Sequence, residues 1–468
     1  MSAIWNTYRI EDIADKITIG PFGSRMKSDT YVESGVPVIR GTNLTGSKKF
    51  SGDWVFITEK LAKQLENCCV SNGDLVFPHR GSIGEVGLVD NQFPQYMMSS
   101  SLMKLRCNPN IADSEFIYYF FKSHQGRYEL LKNASQVGTP GIGQPLTSLK
   151  NIEIKLPSLR EQRKIVKILS DLDEKIHLNN QINQTLESIA QAIFKSWFID
   201  FDPVRAKIAA KQEGKDSELA AMCAISGKSE AELEQMAKED FAELQATAAL
   251  FPDELVESEL GEVPKGWEIT NINAVTASIF SGGTPSTKDM TYWNGEIPWL
   301  SSGETRNKII VSTEKSITET AVKKSSTKLA IFGDILIASA GQGHTRGQTS
   351  FNAIECYINQ SIVALRANDK VSPYWLYYCL EPRYDEMRSL SDSHSSRGSL
   401  TTKLLASMPV ILPTKELVLS FDKLIKSMLT QQVKNLKETK ILKETRDALL
   451  PKLLSGEIDV SALQDEVA

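Results

Sequence analysis

A chain of 468 residues is long enough to bury two full cores, and its 41% hydrophobic and 24% charged residues are those of a soluble globular protein. No apolar run reaches the roughly 18 residues that span a bilayer, and Met1-Ser-Ala-Ile-Trp-Asn6 has neither the basic nor the apolar region of a secretory signal. Six cysteines without a Cys-x-x-Cys pair suit a reducing, cytoplasmic setting, while the net charge of −5 argues at face value against a nucleic-acid partner.

Divided by segment, the charge reads differently. Residues 1–157 carry 17 basic and 15 acidic side chains, and 263–413 carry 15 and 13. Residues 206–262 carry 5 basic against 14 acidic, a net −9. The acidity is therefore confined to one segment, and the mildly basic remainder permits a polyanionic partner.

Residues 1–157 predict a mixed α/β domain. Val36-Pro-Val-Ile-Arg40 and Asp74-Leu-Val-Phe-Pro78 read as short strands, and Glu115 to Lys122 as a buried helix. Glycines gather in the loops at 20–23, 81–84 and 138–143. Residues 158–203 predict a helix ending at Asp200-Phe-Asp-Pro203. Ser158 and Glu161 form a capping box, no Gly or Pro follows before Phe198, and apolar residues recur in seven-residue steps on two seams. One seam holds Ile165, Leu172, Leu186 and Ile193, and the other Leu169, Ile176, Ala190 and Trp197. At 1.5 Å per residue such a helix is about 60 Å long.

Residues 204–262 predict an acidic helical insertion and linker, 263–413 a second α/β domain, and 414–458 a second long helix with a tail. That helix is expected to stop near Leu450, at Pro451 and Gly456. The second half repeats the first. Trp5 matches Trp267 at an offset of 262, Pro37 matches Pro298 at 261, and Gly73-Asp74, Ser101 and Arg106 match Gly333-Asp334, Ser361 and Arg366 at 260. Tyr119 matches Tyr377 at 258 and Pro157 matches Pro413 at 256, the smooth drift that small deletions leave after a duplication. The seven-step series Ile165, Leu172, Asn179, Leu186, Ile193 and Phe421, Met428, Asn435, Leu442, Leu449 share their interruption. Packing the helices as an antiparallel coiled coil would bring Asn179 and Asn435 together and fix the register.

Several stretches resemble the specificity subunits of type I restriction–modification systems. They are Ile154-Lys-Leu-Pro-Ser-Leu-Arg-Glu-Gln-Arg-Lys-Ile-Val166, Ser196-Trp-Phe-Ile-Asp-Phe-Asp-Pro203, Leu260-Gly-Glu-Val-Pro-Lys-Gly-Trp267 and Leu449-Leu-Pro-Lys-Leu-Leu-Ser-Gly-Glu457. Gly35-Val-Pro-Val-Ile-Arg-Gly41 and Arg80-Gly-Ser-Ile-Gly84 also look like that family. The second unit departs from it with Ser301-Ser302 in place of Arg40-Gly41, and with Lys415-Glu-Leu417 at its helix junction. The resemblance implies two target-recognition domains that each read half of an interrupted double-stranded DNA sequence, with the helices as spacer. It also implies two modification subunits that use S-adenosylmethionine to methylate adenine, and restriction subunits that use ATP and Mg2+. No cofactor, metal or membrane is expected for this chain itself.

Catalytic motifs are missing. The sequence has no Pro-Pro pair for an amino-methyltransferase tetrad, and Gly227-Lys-Ser229 has Met222 where a Walker A loop needs glycine. Gly141-Ile-Gly143 and Gly341-Gln-Gly343 lack the third glycine of a dinucleotide loop, and the five histidines form no His-x-x-x-His pair. The chain is therefore read as non-enzymatic on its own. The alternative is a duplicated coiled-coil scaffold for protein or glycan ligands.

Base reading needs Arg, Lys, Asn, Gln or His on loops. The candidates are Arg25, Lys27, Arg40, Asn43, His79 and Arg80 in the first unit. In the second they are Lys288, Arg306, Gln342, His344, Arg346, His394 and Arg397. Arg346 is expected to read one half-site. Arg106 and Arg366 match across the repeat and are assigned a shared structural role instead.

Overall fold

The computed structural model describes residues 5–22, 25–46, 48–135, 138–341, 343–394, 399–461 and 463. Contacts divide the chain into two compact units, residues 1–178 with 439–468, and residues 179–438. Both divisions fall inside long helices, Leu159–Phe198 and Lys415–Leu454. The helices are thus not a module apart, because each half-helix buries its apolar face in the core of one unit.

In the first unit, one sheet has the order β1 (Ala14–Ile19), β5 (Leu102–Cys107), β3 (Leu75–Pro78), then Gly87–Leu88. The central β5 runs antiparallel to both β1 and β3, so those two point the same way. A second sheet pairs β2 (Val36–Ile39) in parallel with β4 (Tyr96–Met98), Val38 opposite Met97. Helix α1 (Ser114–Lys122), capped by the Asp113 carboxylate, buries its aromatic run from Phe116 to Phe121. Helix α2 (His124–Leu131) follows after Ser123. Ile165 and Leu169 of the first long helix join this core with Leu450 and Leu453 of the second. Asp173 accepts from the Arg446 guanidinium at 2.7 Å and from the Tyr119 hydroxyl at 2.9 Å, so the helices run antiparallel here.

The second unit repeats the plan. A five-stranded sheet contains β6 (Thr276–Ser281), β10 (Ile362–Ala367) and β8 (Ile335–Ala338) in that order, with β10 antiparallel to both. In the companion sheet β7 (Trp293–Leu300) lies parallel to β9 (Cys356–Ile358), Leu300 opposite Ile358. Helix α3 (Pro373–Leu380) is the counterpart of α1, and α4 (Tyr384–His394) follows it. Phe194 and Trp197 pack with Trp375, Tyr378 and Phe421, so both long helices contribute to this core as well. Terminal ribbons close each domain in the same register, Asn6 opposite Leu156 and Glu268 opposite Leu412.

Residues 202–249 fold as four helices, Asp202–Gln212, Ser217–Ser226, Glu230–Leu233 and Lys238–Ala249. They enclose a small core of Ala221, Met222, Leu233 and Ala248, and the buried Lys207 ammonium ties Glu218 to the Phe251 carbonyl at 2.8 Å each. One boundary expectation fails. Pro451 does not stop the second long helix, which continues to Leu454 before Gly456 turns it with φ +74°. The carbonyl that loses its N–H partner belongs to Asp447, an exposed residue in the last turns of the helix.

The helix midpoints meet within the second unit. The Asn179 amide donates to the Asn435 carbonyl at 3.5 Å and to Glu438 at 2.9 Å, and the Asn435 amide donates to Asn183 Oδ1 at 2.9 Å. Asn179 and Asn435 are 1% and 3% exposed, and Gln432 extends this polar belt to the Asn183 carbonyl at 3.2 Å.

Candidate nucleic-acid interface

Strand direction gathers the loops of each unit. In the first, the carboxyl ends of β1, β2, β3 and β4 converge on one turn, Ser99–Ser101. Gly20 N–H donates to the Leu102 carbonyl at 2.8 Å, Ser99 N–H to Ile39 at 2.9 Å, and His79 N–H to Ser101 at 2.9 Å. The same turn recurs as Asn359–Ser361, where Asn359 N–H donates to Leu300 at 3.1 Å and Ser339 N–H to Ser361 at 2.8 Å. The described residues that follow these strands therefore share one edge, 20–22, 25–27, 40–46, 48–54 and 79–84 in the first unit, and 282–285, 301–307, 339–341 and 343–347 in the second. A Cβ on Gly20 would lie 2.0 Å from the Ser99 carbonyl, and one on Gly282 would lie 1.9 Å from that of Ile358, so both edges require glycine at the first loop.

Of the proposed readers, Arg25, Lys27 and Arg80 are exposed on the first edge. Arg40 is half-buried, its guanidinium donating to the Asp53 carbonyl at 2.5 Å. Arg306 and His344 are exposed on the second edge, where Arg306 donates to the Gly303 carbonyl at 2.6 Å and pairs with Glu314. Lys288 is exposed but lies elsewhere. Its turn is fastened to the start of β7 by the Trp293 indole donating to Ser286 at 3.0 Å, at the far end of that strand from the Asn359 turn. Gln342 and Arg397 lie outside the described residues, as does the side chain of His394.

Three candidates are corrected. Asn43 is 0% exposed: its Oδ1 accepts from Arg40 N–H at 3.0 Å and its amide donates to Ser51 and Asp53 carbonyls at 3.0 and 3.3 Å. Glu304, its partner in the repeat, accepts from Ser301 N–H at 2.9 Å. The two residues cap the same turn, and the repeat offset of 261 held that signal. His79 is turned inward, 6% exposed, its ring within 3.1 Å of the Ser100 carbonyl, and burial lowers its pKa. Arg346 is 9% exposed and holds Asp392 at 2.5 Å, so it braces its loop rather than facing a base.

Arg106 and Arg366 do what their repetition implies. Each forks onto a carboxylate that is 1% exposed, Arg106 onto Asp74 at 2.6 and 2.7 Å and Arg366 onto Asp334 at 2.8 and 2.7 Å. These carboxylates also accept from backbone N–H groups, Ser71 at 3.0 Å and Ile331 at 2.9 Å, which fixes the turn leading into β3 or β8. The pairs are therefore part of the frame beneath the edge. Among the described residues no group of three or more His, Cys, Asp or Glu is placed to hold a metal ion.

The duplication has a counterpart in a known family. The family model for the type I restriction modification DNA specificity domain matches residues 4–188 and again 264–445. The chain belongs to that family. The HindI specificity subunit of Haemophilus influenzae is 34% identical over 406 residues, 83% of this chain and 87% of that protein. The MjaIX specificity subunit of Methanocaldococcus jannaschii is 24% identical, covering 98% of this chain and 94% of that one. The crystal structure of the type I S subunit from M. genitalium matches with a TM-score of 0.59 at 16% identity, over 97% of this chain and 96% of that one. At that identity the structural match speaks for the family's fold, which has the two α/β units and long helices found here.

Proposed function

We propose that the chain is the DNA-addressing subunit of a type I restriction–modification complex and that each unit reads one half of a bipartite duplex sequence. The observation that carries this reading is the repeated loop edge, built alike in both units but bearing different side chains. Phosphate contacts fix orientation and base contacts carry the address, so the scaffold of such an edge must repeat while its loops diverge. Ser99–Ser101 and Asn359–Ser361 are the scaffold. Arg25, Lys27, Arg40 and Arg80 are the address of one unit, and Arg306 and His344 that of the other. The helix pair sets the number of bases between the halves. Modification subunits supply adenine methylation with S-adenosylmethionine, and restriction subunits supply ATP- and Mg2+-dependent cleavage. A cytoplasmic place of action suits six cysteines that are all free thiols.

The test is selection from a random duplex pool by the full chain, alone and with its modification subunits. The expected result is enrichment of an interrupted motif, with affinity falling steeply as salt rises. A chain that binds no duplex, or binds without a salt slope, is not a DNA-addressing subunit.

A further inference from the structure

Both units anchor the loop after β3 or its counterpart β8 in one way. In the second unit that loop follows β8 and contains Gly341, Gly343 and Gly347, all at positive φ. Left to itself, such a loop would sample many shapes. Helix α4 holds it with residues spaced at one turn, Tyr384, Arg388 and Asp392, which fall on one face. The Tyr384 hydroxyl donates to the His344 carbonyl at 3.0 Å, the Arg388 guanidinium donates to the Gly343 carbonyl at 2.5 Å, and Asp392 pairs with Arg346. Gly347 closes the loop against the Tyr384 ring: a Cβ there would lie 3.3 Å from Cδ2. The carbonyls of Gly343 and His344 are thereby turned to the helix, while the His344 side chain is exposed.

The first unit repeats the device with different residues. The loop after β3 ends at Gly84, again at positive φ, where a Cβ would lie 3.2 Å from both the Arg127 guanidinium carbon and Leu131. Arg127 of α2 donates to the Gly84 carbonyl at 2.8 Å and pairs with Glu85 at 2.9 Å. Arg127 and Arg388 do not align at the offset of 258 that relates α1 to α3, since that offset carries 127 to Asp385. Two arginines nearly a helical turn out of step in sequence thus reach the same kind of carbonyl in the same loop.

We infer that Arg388 and Arg127 are positioning residues for sequence recognition, each setting the conformation in which its own loop meets one half-site. This rests on the DNA reading proposed above. Neither arginine needs to touch a base. Each converts a glycine-rich loop into a rigid one, so His344 in one unit and Arg80 in the other are presented in a single arrangement.

Duplex selection with full-length R388A tests the inference. The expected outcome is one half of the motif unchanged and the other relaxed, with discrimination in that half falling about tenfold. R127A relaxes the opposite half, and R388K, which keeps a donor within reach of the carbonyl, recovers part of the loss. If R388A does not melt like the wild type, Y384F takes its place, removes only one hydroxyl, and must relax the same half. A folded variant that selects the wild-type motif overturns the inference, and so does one whose affinity falls equally on all sequences, which marks a phosphate contact. A wild-type chain that selects no motif overturns the DNA reading and the inference with it.

Discussion

Asp74 and Asp334 show why a repeated charge pair belongs to the frame. Each is a carboxylate with 1% exposure, which demands a partner, and Arg106 or Arg366 supplies a forked one. Removing the arginine leaves a buried charge, a loss of 3–5 kcal/mol when both partners are buried. Here the arginine side chains are 42% and 35% exposed, so about 2–3 kcal/mol is expected. The units should differ, because Lys104 stands 3.9 Å from Asp74 whereas Ala364 occupies the equivalent place beside Asp334. R366A is therefore expected to destabilise more than R106A in urea unfolding, with the selected DNA sequence unchanged. A sequence change without a stability change would make these arginines readers. A second residue-scale prediction concerns Asp422, whose carboxyl burial pushes up to about 6 while the hydrogen bond from Ser372 opposes it. Below pH ~4 both folded and unfolded states hold the proton. Between ~4 and about 6 the unfolded state releases it first, so stability falls as pH rises and stays lowered above that window. D422N is expected to match the wild type at pH ~4 and to exceed it at pH ~8 by about 1–2 kcal/mol, after allowance for partial exposure. Equal pH profiles for the two proteins would show that Asp422 ionises freely in the fold.

Among the elements, the long helices were the most legible from sequence and the loop edges the least. Ser158 with Glu161 and the absence of Gly and Pro to Phe198 are local signals, and the helix bounds follow them: Glu161 N–H donates to Ser158 Oγ at 3.3 Å. Pro451 misled because a proline in a final turn costs only one carbonyl its partner, on an exposed residue. The edges depend on strand direction, and sequence does not reveal that β1 and β3 run together beside an antiparallel β5. Asn43 and His79 therefore looked like loop readers although their polar atoms are spent on backbone groups. The mid-helix asparagines were visible as a shared break in two heptad series, but Asn183, Gln432 and Glu438, which complete the belt, were not. A polar belt is sensitive to loss of any member, since an amide left without a partner in a buried site costs about 1–3 kcal/mol. Asn435→Leu removes the donor to the half-buried Asn183 Oδ1, a bond of 2.9 Å, whereas the exposed Gln431 amide, 2.7 Å from Asn435, can turn to water. It is expected to lower stability by that amount and to weaken hydrogen-exchange protection along both helices near residues 183 and 432. Unaltered protection would show that apolar packing alone holds the register.

For the molecule as a whole, two separate cores make separability the decisive property. Ile165 and Leu169 belong to one core, Phe194 and Trp197 to the other, so one continuous helix contributes to both cores. The acid of the chain is likewise set apart in residues 206–262, which explains how a net charge of −5 coexists with cationic loop edges. If each unit reads alone, substitutions in different units must add. Arg80→Ala and His344→Ala are each expected to weaken binding by about 1–3 kcal/mol, each on its own half-site only. The double variant should lose the sum to within about 0.5 kcal/mol, as distant sites without shared partners do. Binding isotherms at fixed salt, on duplexes with either half-site scrambled, resolve the two losses. On a duplex whose first half is scrambled, Arg80→Ala should change nothing further while His344→Ala keeps its full effect. A cost for His344→Ala that depends on residue 80 would mean the half-sites are read jointly, and the duplication would then be one divided reader rather than two.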